Sequence, residues 1–430
     1  MDSSDLLRLL HHARDLRIGV VGDFCLDAYL VLDPRASESS VETGLPTHPV
    51  RSQRYSLGGA GNVAANLRAM GVREVPVYGV IGCDPFAKEM CALFDRLGIP
   101  RDGLQTQADE WQTHVYVKPL ENDREGNRID FGNYNVLHPD TAGALLQSLE
   151  RALPGLQAVI INEQVLQGLH TPAFRSALRE LIRRHPAALF IADARHFSDE
   201  FDGAVRKINL REAARLAGVA GDGSEALSAS AIRRIAQGLF ERWQKQVFIS
   251  LGEYGCVLHG SEGVQEVPGL LLTGPIDPVG AGDSLLAGIA AGLAAGASAL
   301  DAAELGTFVA GVTLQKLFQT GTASPEEILA IGSDPHFRYR PELARHPSSA
   351  RYVAKSEIEI VTALPSPGTR FTHCIFDHDG TVSTLRQGWE EIMEPMMIRA
   401  ILGDREQEVD EGFHDAVVDA VRKYIDRTTG

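Results

Sequence analysis

Short, continuous apolar runs separated by helical stretches are the feature that most restricts what this chain can become. Arg17–Gly22, Val77–Ile81, Ala158–Ile161, Leu189–Ala192 and Val247–Ser250 are rich in Val and Ile and show no polar alternation. Between them lie segments with helical periodicity, at 60–70, 86–97, 172–185 and 229–245. Unbroken β-rich runs need both faces of a sheet covered, and intervening helices supply the cover, so the pattern predicts an α/β fold with a mostly parallel sheet. Ligands of such sheets bind beyond the C-terminal strand ends. Gly22-Asp23, Asn162-Glu163 and Ser250-Leu251-Gly252 all fall at such ends.

Two stretches break the rhythm. Residues 28–57 and 112–135 hold short alternating, polar-rich segments such as His114–Lys118 and Arg128–Phe131. They suit a small half-exposed sheet projecting from the body as a lid, or two ordinary surface hairpins. Near residue 333 the texture changes to a Pro-containing basic stretch, which places a domain boundary between about 335 and 370.

The segment Asp277-Pro278-Val279-Gly280-Ala281-Gly282-Asp283 carries the clearest chemistry. It is a small-residue turn opening an apolar helix, with a carboxylate in the first helical turn. Free N–H groups at such a terminus, aided by the helix dipole, hold an anion. An acid there would repel a phosphate, so it points to proton removal from a hydroxyl that attacks phosphorus. A helix that merely carries a dipole-stabilised Asp is the alternative.

Weaker signals precede it. Asp23 and Asp27 close the first strand and could accept hydrogen bonds from sugar hydroxyls, or be loop acids. Gly58, Gly59 and Asn62 lie in a glycine-rich turn entering a helix. Asn209 and Glu212 could face a metal–phosphate group from one helical face, or simply cap a surface helix. Ser250, Gly252 and Gly255 form another strand-end loop.

In this order and spacing, GDxxLDxY, GGxxNVAxN, NxxE, a GxxG turn and DxVGAGD resemble the ribokinase-like, or phosphofructokinase B, carbohydrate kinases over roughly residues 15–333. Within that family the stretches 40–47, 58–67 and 310–317 are most similar to the kinase domain of the bacterial ADP-heptose synthesis protein. The resemblance implies a three-layer αβα domain over 1–333 with a small β lid. It also implies phosphorylation of a sugar or sugar phosphate by ATP with Mg²⁺. Asp283 then corresponds to the general base, and Gly280, Ala281 and Gly282 to the anion hole. Asp23, Asp27, Gly58, Gly59, Asn62 and Glu163 fall at substrate positions. Asn209, Ser250, Gly252 and Gly255 fall on the nucleotide side, with Glu212 toward the metal. The heptose-phosphate kinases carry a lysine-containing turn where this chain has Glu163, and that carboxylate favours a neutral sugar. Thr307 stands where the family often has Asn. Pairing through the lid is common in the family, which leaves a homodimer as an open expectation.

A second motif lies near the end. Phe371–Thr381 is a short apolar run ending in DxDGT, similar to the first motif of haloacid dehalogenase-like phosphatases. The likeness implies Asp377 as nucleophile and Asp379 as acid/base, both sharing a Mg²⁺. The other parts of that catalytic set have no convincing copies in residues 382–430, so 370–430 is expected to be the start of a longer domain, joined by a linker over 334–369. A bifunctional kinase–phosphatase and a sugar- or nucleotide-sensing pseudokinase are the alternatives to a plain kinase.

The formal charge of −16 argues against nucleic acid or an anionic membrane as partner, both of which need a basic face. The five scattered cysteines, without a CxxC pair, fit reduced thiols and a cytoplasmic protein, and no histidines fall in metal-ligand spacing.

Overall fold

The computed structural model of the chain describes residues 1–430 except 122–123, 220–226, 228, 273, 318, 334, 336, 338–350, 353–358, 361–369, 371, 374–389, 404–410 and 429–430. It divides into two compact units, Met1–Arg338 and Tyr339–Gly430.

The strands of the first unit are β1 (Ile18–Gly22), β2 (Phe24–Leu32), β3 (Val50–Gly59), β4 (Val77–Ile81), β5 (Gly103–Thr106), β6 (His114–Glu121), β7 (Arg124–Glu125), β8 (Ile129–Phe131), β9 (Ala158–Glu163), β10 (Leu189–Ala194), β11 (Val205–Asn209), β12 (Val247–Ser250), β13 (Cys256–Gly260) and β14 (Gly263–Val267). Its helices are α1 (Ser3–Ala13), α2 (Ala60–Ala69), α3 (Pro85–Leu97), α4 (Pro139–Ala152), α5 (Pro172–Arg184), α6 (Leu210–Leu216), α7 (Ala229–Trp243), α8 (Ala281–Ala294), α9 (Ala299–Leu314) and α10 (Pro325–Gly332).

Nine strands form the main sheet in the order β5-β4-β1-β9-β10-β11-β12-β13-β14. β5 through β12 are mutually parallel, and β13 and β14 add an antiparallel edge. The apolar runs became β1, β4, β9, β10 and β12, as continuous two-sided burial requires. β11 shows no such run because Arg206 and Lys207 sit inside it, and both are buried.

Side-chain parity sorts the sheet into two faces. Ile18, Val20, Ile160, Ile191 and Val205 point toward the core shared with α2, α8 and α9. Val21, Val159, Ile161 and Ala192 point into a second core with α4 and α5. α8 and α9 are apolar on nearly all sides, and each buries a run of small residues against the other. A Cβ on Gly288 would meet the Gly306 Cα at 2.5 Å. α2 packs on the same face and delivers its first turn to the start of α8.

A second sheet, β3-β2-β6-β7 with β8 also on β6, draws β3, β6, β7 and β8 mainly from the polar-rich stretches, while its central strand β2 begins earlier, at Phe24, and is mostly apolar and buried. β2 pairs antiparallel with β3 and parallel with β6. β2 follows β1 after one residue and β3 runs straight into α2, so this sheet is anchored beside the ends of β1 and α2.

In the second unit, Arg351–Tyr352 pairs antiparallel with Glu359–Ile360, and helices Glu390–Leu402 (α11) and Glu411–Thr428 (α12) bury Ile398, Leu402, Val417 and Val421 between them. Asp377 and Asp379 lie outside the described residues.

Candidate active site

α8 begins with the motif that dominates the sequence. Asp277 Oδ1 accepts the Val279 N–H at 3.0 Å, and the Asp277 N–H donates to Leu314 O at 2.8 Å, which fixes the approach to the helix. Gly280 then takes the left-handed conformation at φ 80°, and a Cβ there would lie 2.6 Å from Asn62 Nδ2. Both facts demand glycine. The first-turn N–H groups at Gly282 and Asp283 precede the helix's own ladder and carry the positive end of its dipole.

Asp283 Oδ2 accepts a 2.9 Å hydrogen bond from Asn62 Nδ2. Asn66, one turn further along α2, donates to both Asn62 O and Asn62 Oδ1 at 3.0 Å, so the Asn62 amide turns its nitrogen to the acid. Part of Asp283's surface stays open to solvent, while its carboxyl is enclosed by protein atoms. Burial pushes that carboxyl up to about 7, against the Asn62 donor; Asp193 and Asp27 add to the rise and Lys207 opposes it. A carboxylate near neutrality is suited to taking a proton at physiological pH.

Asp27, on β2, lies beside this centre. Its Oδ1 is 3.0 Å from Lys118 Nζ, and its Oδ2 accepts from Thr320 Oγ1 at 3.3 Å. Thr320 also touches Ser56 Oγ at 3.0 Å, and its methyl group approaches Gly280. Lys118 reaches Tyr29 OH at 3.4 Å and lies over the Tyr29 ring. Burial alone would lower the Lys118 pKa; Asp27 and Tyr29 outweigh it and the net direction is up. Gly58 leaves room for Asp27, since a Cβ on it would stand 3.1 Å from Oδ2. Gly59, at φ 54°, turns β3 into α2, and a Cβ would come 2.7 Å from Asp23 O.

Several expected site residues have other work. Asp23 is buried and its two oxygens accept three backbone N–H groups, from Gln164, Val165 and Leu169, at 2.9–3.0 Å. It ties down the loop after β9 rather than facing a sugar. Glu163 is fully buried; its Oε2 accepts the His196 and Phe197 N–H groups and its Oε1 meets His196 Nδ1 at 2.7 Å. It shares the parity of Val159 and Ile161 and so points away from α8. The inference from Glu163 to a neutral sugar therefore has no structural basis.

Asn209 and Glu212 form a reciprocal capping box at α6: Asn209 Oδ1 accepts the Glu212 N–H and Glu212 Oε2 accepts the Asn209 N–H, both at 2.9 Å. Burial, with Asp193 nearby, raises the Glu212 pKa. Ser250 Oγ donates to Ile208 O at 3.4 Å, and Gly252, at φ 62°, has open space where a Cβ would project. Gly255 is a packing glycine, because a Cβ on it would strike Val267 O at 2.1 Å. Thr307 Oγ1 bonds back to Ala303 O within α9.

Residues that motif spacing did not flag complete the centre. Lys207 Nζ is buried and 2.9 Å from Asp193 Oδ2. Burial opposes its charge, but Asp193 overrides and the net direction is up. Lys118 and Thr320 were likewise unflagged, whereas Asn66 and Asn162, which also belong here, stood in the glycine-turn motif and at a strand end in the sequence. The one sequence signal for Lys207 was two adjacent basic residues inside an otherwise apolar strand.

Among the described residues no cluster of three or more His, Cys, Asp or Glu side chains could hold a metal alone. Mg²⁺ normally takes one or two carboxylates plus substrate phosphates. Glu212, with one oxygen outside the capping box and a like charge at Asp193, fits that partial role. No helix among the described residues is long and apolar enough to cross a membrane.

Known proteins resemble this chain in sequence and in fold. The chain is 31% identical over 379 residues to the bifunctional protein HldE of Caulobacter sp. (strain K31), covering 86% of this chain and 72% of that protein. It is 28% identical over 394 residues to HldE of Trichlorobacter lovleyi, covering 90% and 76%. Both alignments cover more than residues 1–338 supply, so the likeness continues into the second unit. Arabidopsis thaliana ribokinase, solved with ribose and ATP, shares the fold at a TM-score of 0.58 and 18% identity, over 74% of this chain and 99% of that one. Escherichia coli phosphofructokinase-2, solved with substrates and products, does so at 0.58 and 16%, over 74% and 99%. None of these likenesses is to a haloacid dehalogenase-like phosphatase. Residues 20–327 match the model of the pfkB family of carbohydrate kinases, and the chain belongs to that family.

Proposed function

We propose that this chain transfers the terminal phosphoryl group of ATP, with Mg²⁺, to a hydroxyl of a sugar or sugar phosphate. The observation that carries the reading is Asp283: an enclosed carboxylate poised near neutrality, in the first turn of a helix whose left-handed glycine presents free N–H groups.

The acceptor hydroxyl lies between Asp283 and the phosphorus. Asp283 takes its proton as the new O–P bond forms and the bond to the bridging oxygen breaks, and the electron pair leaves with ADP. The first-turn N–H groups of α8 neutralise the phosphoryl oxygens as charge moves. Asp27, steadied by Lys118 and Thr320, accepts from another substrate hydroxyl and aims the acceptor. Glu212 would hold Mg²⁺ on the nucleotide side, where the ion offsets phosphate charge. Ser250 and Gly252 border the same strand ends and are assigned to the nucleotide. With Glu163 turned away, phosphorylated acceptors of the heptose type stand alongside neutral sugars as substrates.

ADP release measured across a panel of neutral and phosphorylated pentoses, hexoses and heptoses tests this reading. Acceptor-dependent ADP release with a phosphorylated product is expected. Failure of every acceptor to stimulate release in wild-type protein would overturn it in favour of a sensing role.

The DxDGT motif supports a phosphatase function for the C-terminal segment on sequence alone. Hydrolysis of p-nitrophenyl phosphate by the full chain, lost in Asp377→Asn, would support it; no hydrolysis would remove it.

A further inference from the structure

The ends of β9, β10 and β11 place three polar side chains in a row on the α8 face. Register sets Asn162 opposite Asp193, and Ile191 opposite Val205, which brings Lys207 beside Asp193 two residues on. All three share the parity of Ile160, Ile191 and Val205, whose side chains pack under α8. They therefore point to the side on which Asp283 sits, unlike Arg206. Arg206 emerges on the opposite face, donates to Ser198 O at 2.7 Å and to Ala204 O, and lies over Trp243.

Lys207 reaches the anion-binding turn itself. A Cβ built on Gly282 would lie 3.2 Å from Lys207 Nζ, so the ammonium abuts the backbone whose N–H groups face the anion. An ammonium has three donors, and Asp193 Oδ2 takes one. Next in the row, the fully buried Asn162 amide has neither its nitrogen nor its oxygen partnered among the described residues. Buried polar atoms are almost always satisfied in the working protein, by water or by a ligand. The row is a polar shelf with hydrogen-bonding capacity to spare beneath the turn.

We propose that Lys207 is a catalytic residue of the phosphoryl transfer described above: its Nζ contacts an oxygen of the group in flight beside Gly282, and Asp193 aims it. This rests on the kinase reading and adds a side-chain cation to the backbone amides. A buried ion pair that served folding alone would be indifferent to the transferring group. An electrophile on that group must instead bind its transition state better than ADP.

Lys207→Met, checked for folding by circular dichroism and melting, is compared with wild type in three measurements. The expected result is a roughly 10²–10³-fold loss of turnover. ADP affinity should stay within about threefold, while affinity for ADP with aluminium fluoride, a mimic of the phosphoryl in flight, falls by about as much as turnover. Lys207→Arg should recover part of both losses by keeping the charge. Equal affinity of folded Lys207→Met and wild type for the fluoroaluminate complex would overturn the proposal, as would unchanged turnover. If Lys207→Met does not fold, Asp193→Asn carries the test, because it keeps the ammonium and removes what aims it. A drop of about tenfold or more in turnover with unchanged ADP affinity supports the role, and wild-type turnover overturns it. Absence of acceptor-dependent activity in wild-type protein would instead count against the kinase reading itself.

Discussion

Two sets of buried acids lie within a few residues of the same strand ends, and they are treated in opposite ways. Asp23 and Glu163 each collect three hydrogen-bond partners, mostly backbone N–H groups of the loops they hold. Asp283 receives one side-chain amide and shares its surroundings with Asp193 and Asp27. Hydrogen bonds to the charged form cancel the cost of burying a carboxylate, and their scarcity leaves it basic. A fully satisfied acid is scaffold. An under-satisfied one has its chemistry still to do.

The sharpest way to break that contrast is to neutralise the under-satisfied acid. Asp283→Asn should lower turnover by about 10²–10⁴-fold, with sugar affinity by calorimetry close to wild type. Wild-type turnover in that variant would end its assignment as base.

A pH series comes next in size. Asp283 must be deprotonated to act, so kcat/KM should fall about tenfold per pH unit below about 7. Stability moves the other way. A carboxyl whose folded pKa is raised favours the fold when protonated, so its contribution is full below the ordinary Asp range and is lost as pH rises toward about 7. The slope is at most about 1.4 kcal/mol per unit, because the two states differ by no more than one bound proton at this residue. Denaturant melts should therefore show Asp283→Asn gaining stability over wild type at pH 8 and much less at pH 4. A gain that does not vary with pH would contradict the raised pKa.

Removing the scaffold acid should give the reverse profile. Glu163→Ala strands two backbone N–H groups and should cost about 1–3 kcal/mol in unfolding free energy. Its kcat/KM per folded molecule should stay within about threefold; a larger loss would return Glu163 to the substrate side. The smallest effect belongs to Asn62→Ala. Losing the donor that steadies the ionised form should move the acid limb of the rate profile to higher pH. An unmoved limb would show that Asn62 only packs.

The same comparison explains what could be read from the chain. The α/β class was legible because parallel strands buried on both faces must be apolar throughout, as in Val77–Ile81 and Val247–Ser250. The start of α8 was legible because a glycine turn opening a helix is local, written in consecutive residues from Asp277 to Asp283. Side-chain direction was not. Asn162 and Glu163 are neighbours at one strand end, yet parity sends the amide to the α8 face and the carboxylate to the other. Arg206 and Lys207 divide in the same way, one against Trp243 and one beneath Gly282.

By itself, then, the sequence determined a layered fold with a mostly parallel sheet, and a glycine turn with an acid at the head of one helix. Both are local consequences of burial and backbone freedom. Only the tertiary structure decided which buried charges were consumed by the scaffold and which were left with capacity. That depends on register and parity across strands far apart in sequence: Lys207 meets Asp193 and Gly282, 14 and 75 residues away, through pairings that no local pattern encodes.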